Sequence, residues 1–332
     1  MFRYLLALCL AALLSPLAQA APTTLKIATI APDGTGWMKL MRKAADEIDS
    51  QTQGRVKVRY FPGGVQGSDK SVLRKIQIRQ LQGGAVSVGA LSSITNMTQL
   101  YSLPFTFRNL DEIRAVRGEF DPYIAKALEE KGYSLLGLSE GGFAYLMSNS
   151  PLRSSVDVRT KKVWIPEGDV ISQTTFENGK VEPISLPISD VYTSLQTGLI
   201  DTVGANLSSV IALQWHTKMS YATDYPLIFL FGMLVVDSRA MASISPADQT
   251  IVREAMRKAF KEMDEQNAKD EKGAREALIA NGMQFVQLNE ADKAAWREMA
   301  GRSMQTLREK NIYPVDVYSK LQARLAELRK GR

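Results

Sequence analysis

The chain has 332 residues, of which 45% are hydrophobic and 23% charged, an ordinary composition for a globular protein. Its formal net charge of +6 does not indicate a nucleic-acid-binding protein, because lysine and arginine alternate with aspartate and glutamate throughout the chain. The length predicts about two domains, each large enough for its own hydrophobic core.

The N-terminus has the pattern of a secretory signal peptide. Arg3 places one positive charge before an apolar run over residues 4–14, and small residues follow up to Ala20. This run is well short of the ~20 residues that a membrane-spanning helix needs. We therefore expect cleavage near Ala20 and a periplasmic chain of 332 − 20 = 312 residues, with net charge +5 because Arg3 is lost. The single cysteine, Cys9, lies in this segment, so the mature chain is predicted to have no disulfide and no lipid anchor.

Strand and helix patterns alternate in the first part of the mature chain. Residues 25–30 predict a buried strand, and residues 37–48 a helix with one apolar face. Residues 56–60 alternate as a half-exposed strand, residues 72–76 belong to a second helix, and residues 85–91 predict a third strand. This order is typical of a parallel sheet wrapped by helices.

A comparable pattern restarts after Gly132. It predicts three strands, at residues 133–138, 162–165 and 201–205. It also predicts one helix, at residues 190–197. The following apolar run, residues 225–236, is too short for a membrane span and contains proline and glycine, so it predicts a core strand or a crossover.

One helix is predicted to be unusually long. It begins at Ser245-Pro246, a cap followed by proline at the first helical position. If it continues to Ala280 it is ~50 Å long, at about 1.5 Å per residue, and therefore long enough to cross two lobes.

Residues suited to catalysis or metal binding are scarce. The mature chain has no cysteine and one histidine, His216, which we interpret as a packing or hydrogen-bonding residue. We find no zinc-ligand spacing, nucleophile elbow, phosphate-binding loop or dinucleotide fingerprint. The sequence therefore predicts no catalytic residue, metal or cofactor. The alternative from another class of function is a periplasmic isomerase or lyase that uses Glu167 or His216 as a base.

Several motifs resemble the receptors of tripartite ATP-independent periplasmic (TRAP) transporters, the DctP-type family. The most specific is ISDVYTSLQTG at residues 188–198, followed by Ile200-Asp201, which is similar to the family's Val-Tyr-x-Ala-Leu-Gln-Thr-Gly-x-Val-Asp signature. Supporting motifs are Phe61-Pro62, Gly67-Ser68-Asp69, Leu103-Pro104-Phe105 and the VRTKKVWIP stretch at residues 158–166. The resemblance extends from Leu25 to the last helices.

The resemblance implies an α/β fold of two lobes, joined by crossing segments and a long helix, that close on a small molecule. After the signal peptide at residues 1–20, we expect lobe I at residues 21–141 plus 235–275 and lobe II at residues 142–234 plus 276–332. The implied partners are the small-molecule ligand and the small and large permease subunits, with no nucleic acid. Delivery to a sensor, or to a periplasmic tetratricopeptide-repeat protein, is the alternative.

The matching site positions depart from the family pattern. The arginine that pairs with a substrate carboxylate is replaced by Trp164, as in a branch of the family that lacks this arginine. Other positions that are usually charged, amide or polar carry mainly small or aliphatic residues: Ala144, Ala205 with Asn206 beside it, Ser92 and Ile30.

The lost arginine changes the expected ligand. A buried carboxylate needs a charged partner, whereas tryptophan offers an apolar face and one N–H donor. We therefore predict a cleft for an apolar or weakly polar molecule rather than a small dicarboxylate; an organic-acid receptor with a rearranged site, or Trp164 as a core residue, is the alternative. The remaining predicted lining residues are Tyr145, Phe143, Ile188, Glu167 and Trp37.

Overall fold

The computed structural model describes residues 22–331. The predicted signal peptide lies outside these residues. Within them, no helix combines the length and the apolar character that crossing a membrane requires.

The described residues form a ten-stranded arrangement. The strands are β1 (Thr23–Thr29), β2 (Val56–Phe61), β3 (Gly83–Ser87), β4 (Tyr133–Ser148), β5 (Val163–Pro166), β6 (Ile184–Leu186), β7 (Thr202–Ala205), β8 (Tyr221–Thr223), β9 (Ile228–Asp237) and β10 (Gln284–Val286). Their order is β2-β1-β3-β9-β4-β7-β5-β6, with β8 beside β4 and β10 beside β8.

Helices cover the sheet, and short 3-10 turns connect some of the elements. The α-helices are α1 (Gly36–Gln51), α2 (Asp69–Gln77), α3 (Val88–Leu91), α4 (Leu110–Glu129), α5 (Val170–Asn178), α6 (Val191–Thr197), α7 (Leu207–Ala212), α8 (Ser238–Ala242), α9 (Pro246–Ala280), α10 (Glu290–Glu309) and α11 (Val315–Lys330). The 3-10 turns are Asn96–Tyr101, Asp157–Thr160, Ile188–Asp190 and Trp215–Lys218.

Each lobe has a parallel core. In lobe I, β1 pairs in parallel with β2 and β3, and in lobe II, β5 pairs in parallel with β6 and β7. The alternating strand and helix pattern predicted the parallel unit of lobe I, and in lobe II it predicted β5 and β7 but not β6, while the strand expected at residues 133–138 pairs antiparallel with β9. The antiparallel strand β9 lies between β3 and β4 and extends the sheet of lobe I.

Strand β4 crosses from one lobe to the other. Its first part pairs with β9 as far as Ala144, and its last part, from Tyr145 to Ser148, pairs with β7. The register shifts between Glu140 and Gly142, where the strand bends. Gly142 has φ of +105°, a conformation that favours glycine.

Helix α9 is the second connection, and its predicted extent is confirmed. The Ser245 side chain accepts a hydrogen bond from the Asp248 backbone N–H at 3.2 Å and so caps the helix. Met256 in its first half is buried with the core of α1 and β1, whereas Leu278 near its end is buried with the core of β7. The family fold of two lobes with a long connecting helix therefore follows from this chain's own packing.

Two strand predictions need correction. Residues 85–91 were expected to form one strand, but β3 ends at Ser87, whose hydroxyl accepts from the Ala90 N–H at 3.4 Å and starts α3. The strand expected at residues 133–138 continues to Ser148, because glycines at the bend interrupt the alternating pattern without ending the strand.

The boundaries of the two lobes stay a prediction, and the packing leads us to adjust them. Leu321 and Leu325 of α11 are buried in the same cluster as Phe120 of α4, so we assign this C-terminal helix to lobe I rather than lobe II. Phe229 and Met233 of β9 join the same cluster. We therefore also assign residues 228–234 to lobe I.

Candidate functional site

A cavity of about 520 Å³ lies at the junction of the lobes. The carboxyl ends of β1 and β3, the start of α1, strand β9 and helices α7 and α9 surround it. We call it the central cavity. Its apolar wall includes Ile30, Trp37, Val86, Leu213, Met233 and Phe260.

The polar groups of the central cavity carry almost no charge. They are hydroxyl and amide groups together with one carboxylate, and include Ser139, Asn206, Ser208, Asn267 and Asp270. Among the described residues that line the cavity, Asp270 is the only charged one, and none is lysine or arginine. A bound carboxylate would therefore find no cation in this wall.

A hydrogen-bond network fixes the α7 wall of the cavity. Glu271 of α9 accepts from the backbone N–H groups of Leu207 at 3.1 Å and Ser208 at 2.9 Å, and also from the Ser208 hydroxyl. The Asn206 Nδ2 donates to Glu271 at 3.0 Å and to the carbonyl oxygen of Gly141. One carboxylate thus joins the long helix, the cavity wall and the bend of β4.

The bend requires glycine beside this carboxylate. A Cβ atom at position 142 would lie 2.9 Å from the Cδ atom of Glu271, closer than van der Waals contact allows. Together with its positive φ, this close approach explains why Gly142 occupies the crossing point. The network and the bend are therefore parts of one junction.

Trp164 lies in the core of lobe II and not at the central cavity. Its side chain is 4% exposed, and its Nε1 donates to the carbonyl oxygen of Leu186 at 2.9 Å. Its ring meets that of Trp215 edge to face, with 5.2 Å between centroids. The alternative that Trp164 is a core residue agrees with this placement.

The other predicted residues fall into separate groups. Ile30, Trp37 and Asn206 line the central cavity. Phe143 and Tyr145 instead line a rear cavity of about 530 Å³, on another side of α9.

Three of the residues predicted to line the cleft are small: Ala144 and Ala205 are buried in strands, and Ser92 lies at the end of α3. Ala144 and Ala205 are buried in adjoining strands, 4% and 5% exposed. Ser92 ends α3, where its backbone N–H donates to the Gly89 carbonyl oxygen at 3.2 Å. None of the three is among the residues that line the cavities described above.

Glu167 and Ile188 lie where the lobes touch. With Ile30 and Ser87 they line a gap of about 20 Å³, which has room for about one water molecule. The Glu167 carboxylate also lies 4.0 Å from the Lys70 ammonium group, so this ion pair bridges the two lobes. The two lobes therefore touch at this edge of the cleft.

A desolvated carboxyl group, that of Asp169, lies near the same contact, where the Asp169 Cα atom would be 3.5 Å from a Cβ atom added at Gly89. Asp169 accepts from the Ser172 N–H at 3.0 Å and caps α5. Desolvation raises the pKa of the Asp169 carboxyl group, although its hydrogen bonds with Ser172 oppose the shift. A raised pKa means that ionisation costs folding stability as the pH rises above the unfolded value.

We accordingly expect Asp169→Asn to be more stable than the wild type at pH 7, with the difference vanishing near pH 3.5. At the lower pH the wild-type carboxyl group is already neutral, and asparagine caps helices as well as aspartate does. Urea unfolding at both pH values measures the difference. Asp46→Asn, at an exposed position on α1, is the control variant. A variant that is less stable than the wild type at pH 7 would contradict the expectation.

The sequence reasoning missed the cavity residues on β9 and α9. Met233 lies in the apolar run at residues 225–236, which predicts either a core strand or a crossover. Asn267 and Asp270 lie inside the long helix. The one usable signal was the pair of polar residues three positions apart, which share a helix face.

The family is shown by comparison with known proteins. The profile of the bacterial extracellular solute-binding proteins, family 7 (DctP), matches residues 27–311. The C4-dicarboxylate-binding periplasmic protein DctP of Shewanella loihica is 24% identical over 279 residues, covering 83% of each chain. The sialic acid-binding periplasmic protein SiaP of Vibrio cholerae is 21% identical over 240 residues, covering 72% of this chain and 74% of that protein.

Solved structures share the fold. A TRAP periplasmic solute-binding protein from Shewanella oneidensis, with bound succinate, has a TM-score of 0.85 at 20% identity and covers 92% of this chain and 100% of its own. One from Desulfovibrio salexigens, with bound orotic acid, has a TM-score of 0.83 at 18% identity and covers 91% and 99%. The resemblance found in the sequence is confirmed, and the chain belongs to the DctP family of TRAP transporter solute-binding proteins.

Proposed function

We propose that this protein is the periplasmic receptor of a TRAP transporter for an apolar or weakly polar small molecule. The observation that carries the proposal is the central cavity, whose wall is largely apolar and contains no lysine or arginine among the described residues. Removing a carboxylate from water without a charged partner costs several kcal/mol. The ligand therefore differs from the succinate and orotic acid bound to the structural neighbours.

The transport partner we propose is the pair of permease subunits. Capture needs only a ligand that binds the closed form more tightly than the open form. The permease then receives the ligand from the closed receptor. Membership of the DctP family, whose structural neighbours named above are TRAP periplasmic solute-binding proteins, supports the permease over a tetratricopeptide-repeat partner.

No observation favours the isomerase or lyase alternative. Glu167 forms the ion pair with Lys70, and the His216 Nδ1 lies 3.2 Å from the Val210 carbonyl oxygen. Neither side chain is among the residues that line the central cavity. The two candidate bases are thus engaged elsewhere.

A fluorescence titration with N-phenyl-1-naphthylamine, an uncharged apolar probe, tests the proposal. We expect saturable binding that Trp37→Ala weakens roughly tenfold, because the indole supplies a large apolar face and a loss of about 1.4 kcal/mol is tenfold in affinity. Leu199→Ala, an exposed apolar residue elsewhere, is the control and should leave the affinity unchanged. Succinate that displaces the probe at micromolar concentration would overturn the proposed ligand class.

A further inference from the structure

Two amides in the central cavity have already used their donors. The Asn206 Nδ2 donates to the Gly141 carbonyl and the Glu271 carboxylate, and the Asn267 Nδ2 donates to the Glu140 carbonyl at 2.8 Å. Carbonyl and carboxylate oxygens only accept, so these contacts fix which end of each amide is nitrogen.

The oxygen of each amide can therefore still accept a hydrogen bond. The Oδ1 atoms of Asn206 and Asn267 have no hydrogen-bond partner within residues 22–331, although the Asn206 residue is 6% exposed. Neither oxygen is among the fully buried unpaired atoms of the described residues, so both are open to space that water or a ligand can occupy. Both residues line the central cavity, so the ligand is the group that reaches them.

A carboxylate stands on the same face of α9. Asp270 lies three residues after Asn267, which places the two side chains next to each other on the helix. One of its oxygens accepts from the Gln266 Nε2 at 2.7 Å, and Oδ2 has no hydrogen bond within the described chain. The part of the cavity wall formed by Asn206, Asn267 and Asp270 therefore combines unpaired hydrogen-bond acceptors with a negative charge.

The cavity also has donors, but none of them is a cation. The Trp37 indole N–H and the serine hydroxyls other than that of Ser208, which donates to Glu271, can bind a neutral acceptor, yet they cannot replace the charge that a carboxylate needs. Trp37 and Phe260 add aromatic rings, whose faces attract cations. Both the charge and the hydrogen-bonding pattern favour a ligand that donates.

From this pattern we infer that the ligand carries a protonated amine or a similar N–H-donating cation on an apolar body, with the cation directed at Asn206, Asn267 and Asp270. The inference rests on the proposed function, because it takes the central cavity as the ligand site. It goes beyond that function by naming the ligand's charge. Among the protein's relatives named above, the bound molecules are acids.

Three ligands with one carbon skeleton test the inference directly by calorimetric titration. They are 3-phenylpropylamine, 3-phenylpropan-1-ol and 3-phenylpropanoate, each titrated at pH 7 in 20 mM and 300 mM salt. We expect the amine to bind at least tenfold more tightly than the acid, with the alcohol between them. Only binding of the amine should weaken as salt rises, because salt screens an exposed charge.

The Asp270→Asn variant gives the site-specific readout. Its affinity for the amine should fall about threefold to fivefold, which is the range of an exposed ion pair, and its affinity for the alcohol should not change. Asp46→Asn on α1 is the matched control and should bind all three ligands as the wild type does.

The outcomes separate the two proposals. Equal affinity for amine and alcohol, or an amine affinity that Asp270→Asn leaves unchanged, overturns the cation inference while the apolar cavity stands. The acid binding most tightly overturns both proposals. Amine binding that depends on Asp270, in a protein that fails to bind N-phenyl-1-naphthylamine, supports the cation inference and overturns the apolar ligand class.

Discussion

Replacing Trp164 by alanine is expected to lower the free energy of unfolding by about 3–5 kcal/mol, the usual cost of truncating a buried tryptophan. The side chain is 4% exposed, and its loss removes the edge-to-face contact with Trp215 and leaves the Leu186 carbonyl without its donor. Guanidinium unfolding measures the change. Affinity for N-phenyl-1-naphthylamine should stay within about twofold of the wild type wherever the variant is folded, since Trp164 is not among the residues lining the central cavity.

Trp37→Ala provides the matched comparison. Trp37 is half-buried and lines the central cavity, so its removal should weaken probe binding while costing less stability than the loss of Trp164. Comparing the two variants thus distinguishes a tryptophan that contributes mainly to core packing from one that contacts the ligand. A folded Trp164→Ala protein that no longer binds the probe would show that the residue contacts the ligand, as its position in the family motif predicted.

The prediction of secondary structure from the sequence succeeded where local chemistry decides. The apolar face of α1 and the Ser245-Pro246 start of α9 depend on residues close together in the chain. The placement of β9 between β3 and β4 does not, because it depends on pairing between residues far apart in the chain, as in Tyr133 with Asp237. The run at residues 225–236 showed only that the segment is buried.

The candidate site was predicted in part. Ile30 and Asn206 follow strand ends and Trp37 starts a helix, positions where α/β folds bind ligands at the carboxyl edge of the sheet. Trp164 was predicted to line the cleft from its position in a family motif, whereas its side chain packs in the core of lobe II against Trp215. The position of a residue in a sequence motif does not determine where its side chain packs when tryptophan replaces the arginine of the family. The contributions of Asn267 and Asp270 depend on which face of α9 meets the cavity, and periodicity over the second half of that helix did not reveal it.

Loss of the Glu271 side chain is expected to have the second large effect. Glu271→Ala removes the acceptor of the Leu207 and Ser208 N–H groups and of the Asn206 amide, so several partly buried donors lose their partner at once. We expect the free energy of unfolding to fall by about 2–3 kcal/mol, a value typical of hydrogen bonds to a charged group. Amide hydrogen exchange should accelerate most in α7, which this carboxylate caps.

The same network connects stability with ligand binding. Asn206 lines the central cavity, and the loss of Glu271 removes the charged acceptor of its amide nitrogen, so that only the Gly141 carbonyl and the Ser208 hydroxyl still hold the orientation of the amide. Glu271→Ala should therefore reduce the preference for 3-phenylpropylamine over 3-phenylpropanoate, which a loss of stability alone would not alter. Glu276→Ala, an exposed glutamate farther along α9, is the control, and we expect less than about 0.5 kcal/mol of destabilisation and an unchanged preference. If Glu271→Ala lowers stability but keeps the full preference for the amine, the carboxylate stabilises the junction at the bend of β4 without orienting the amide, and ligand selectivity lies with Asn267 and Asp270.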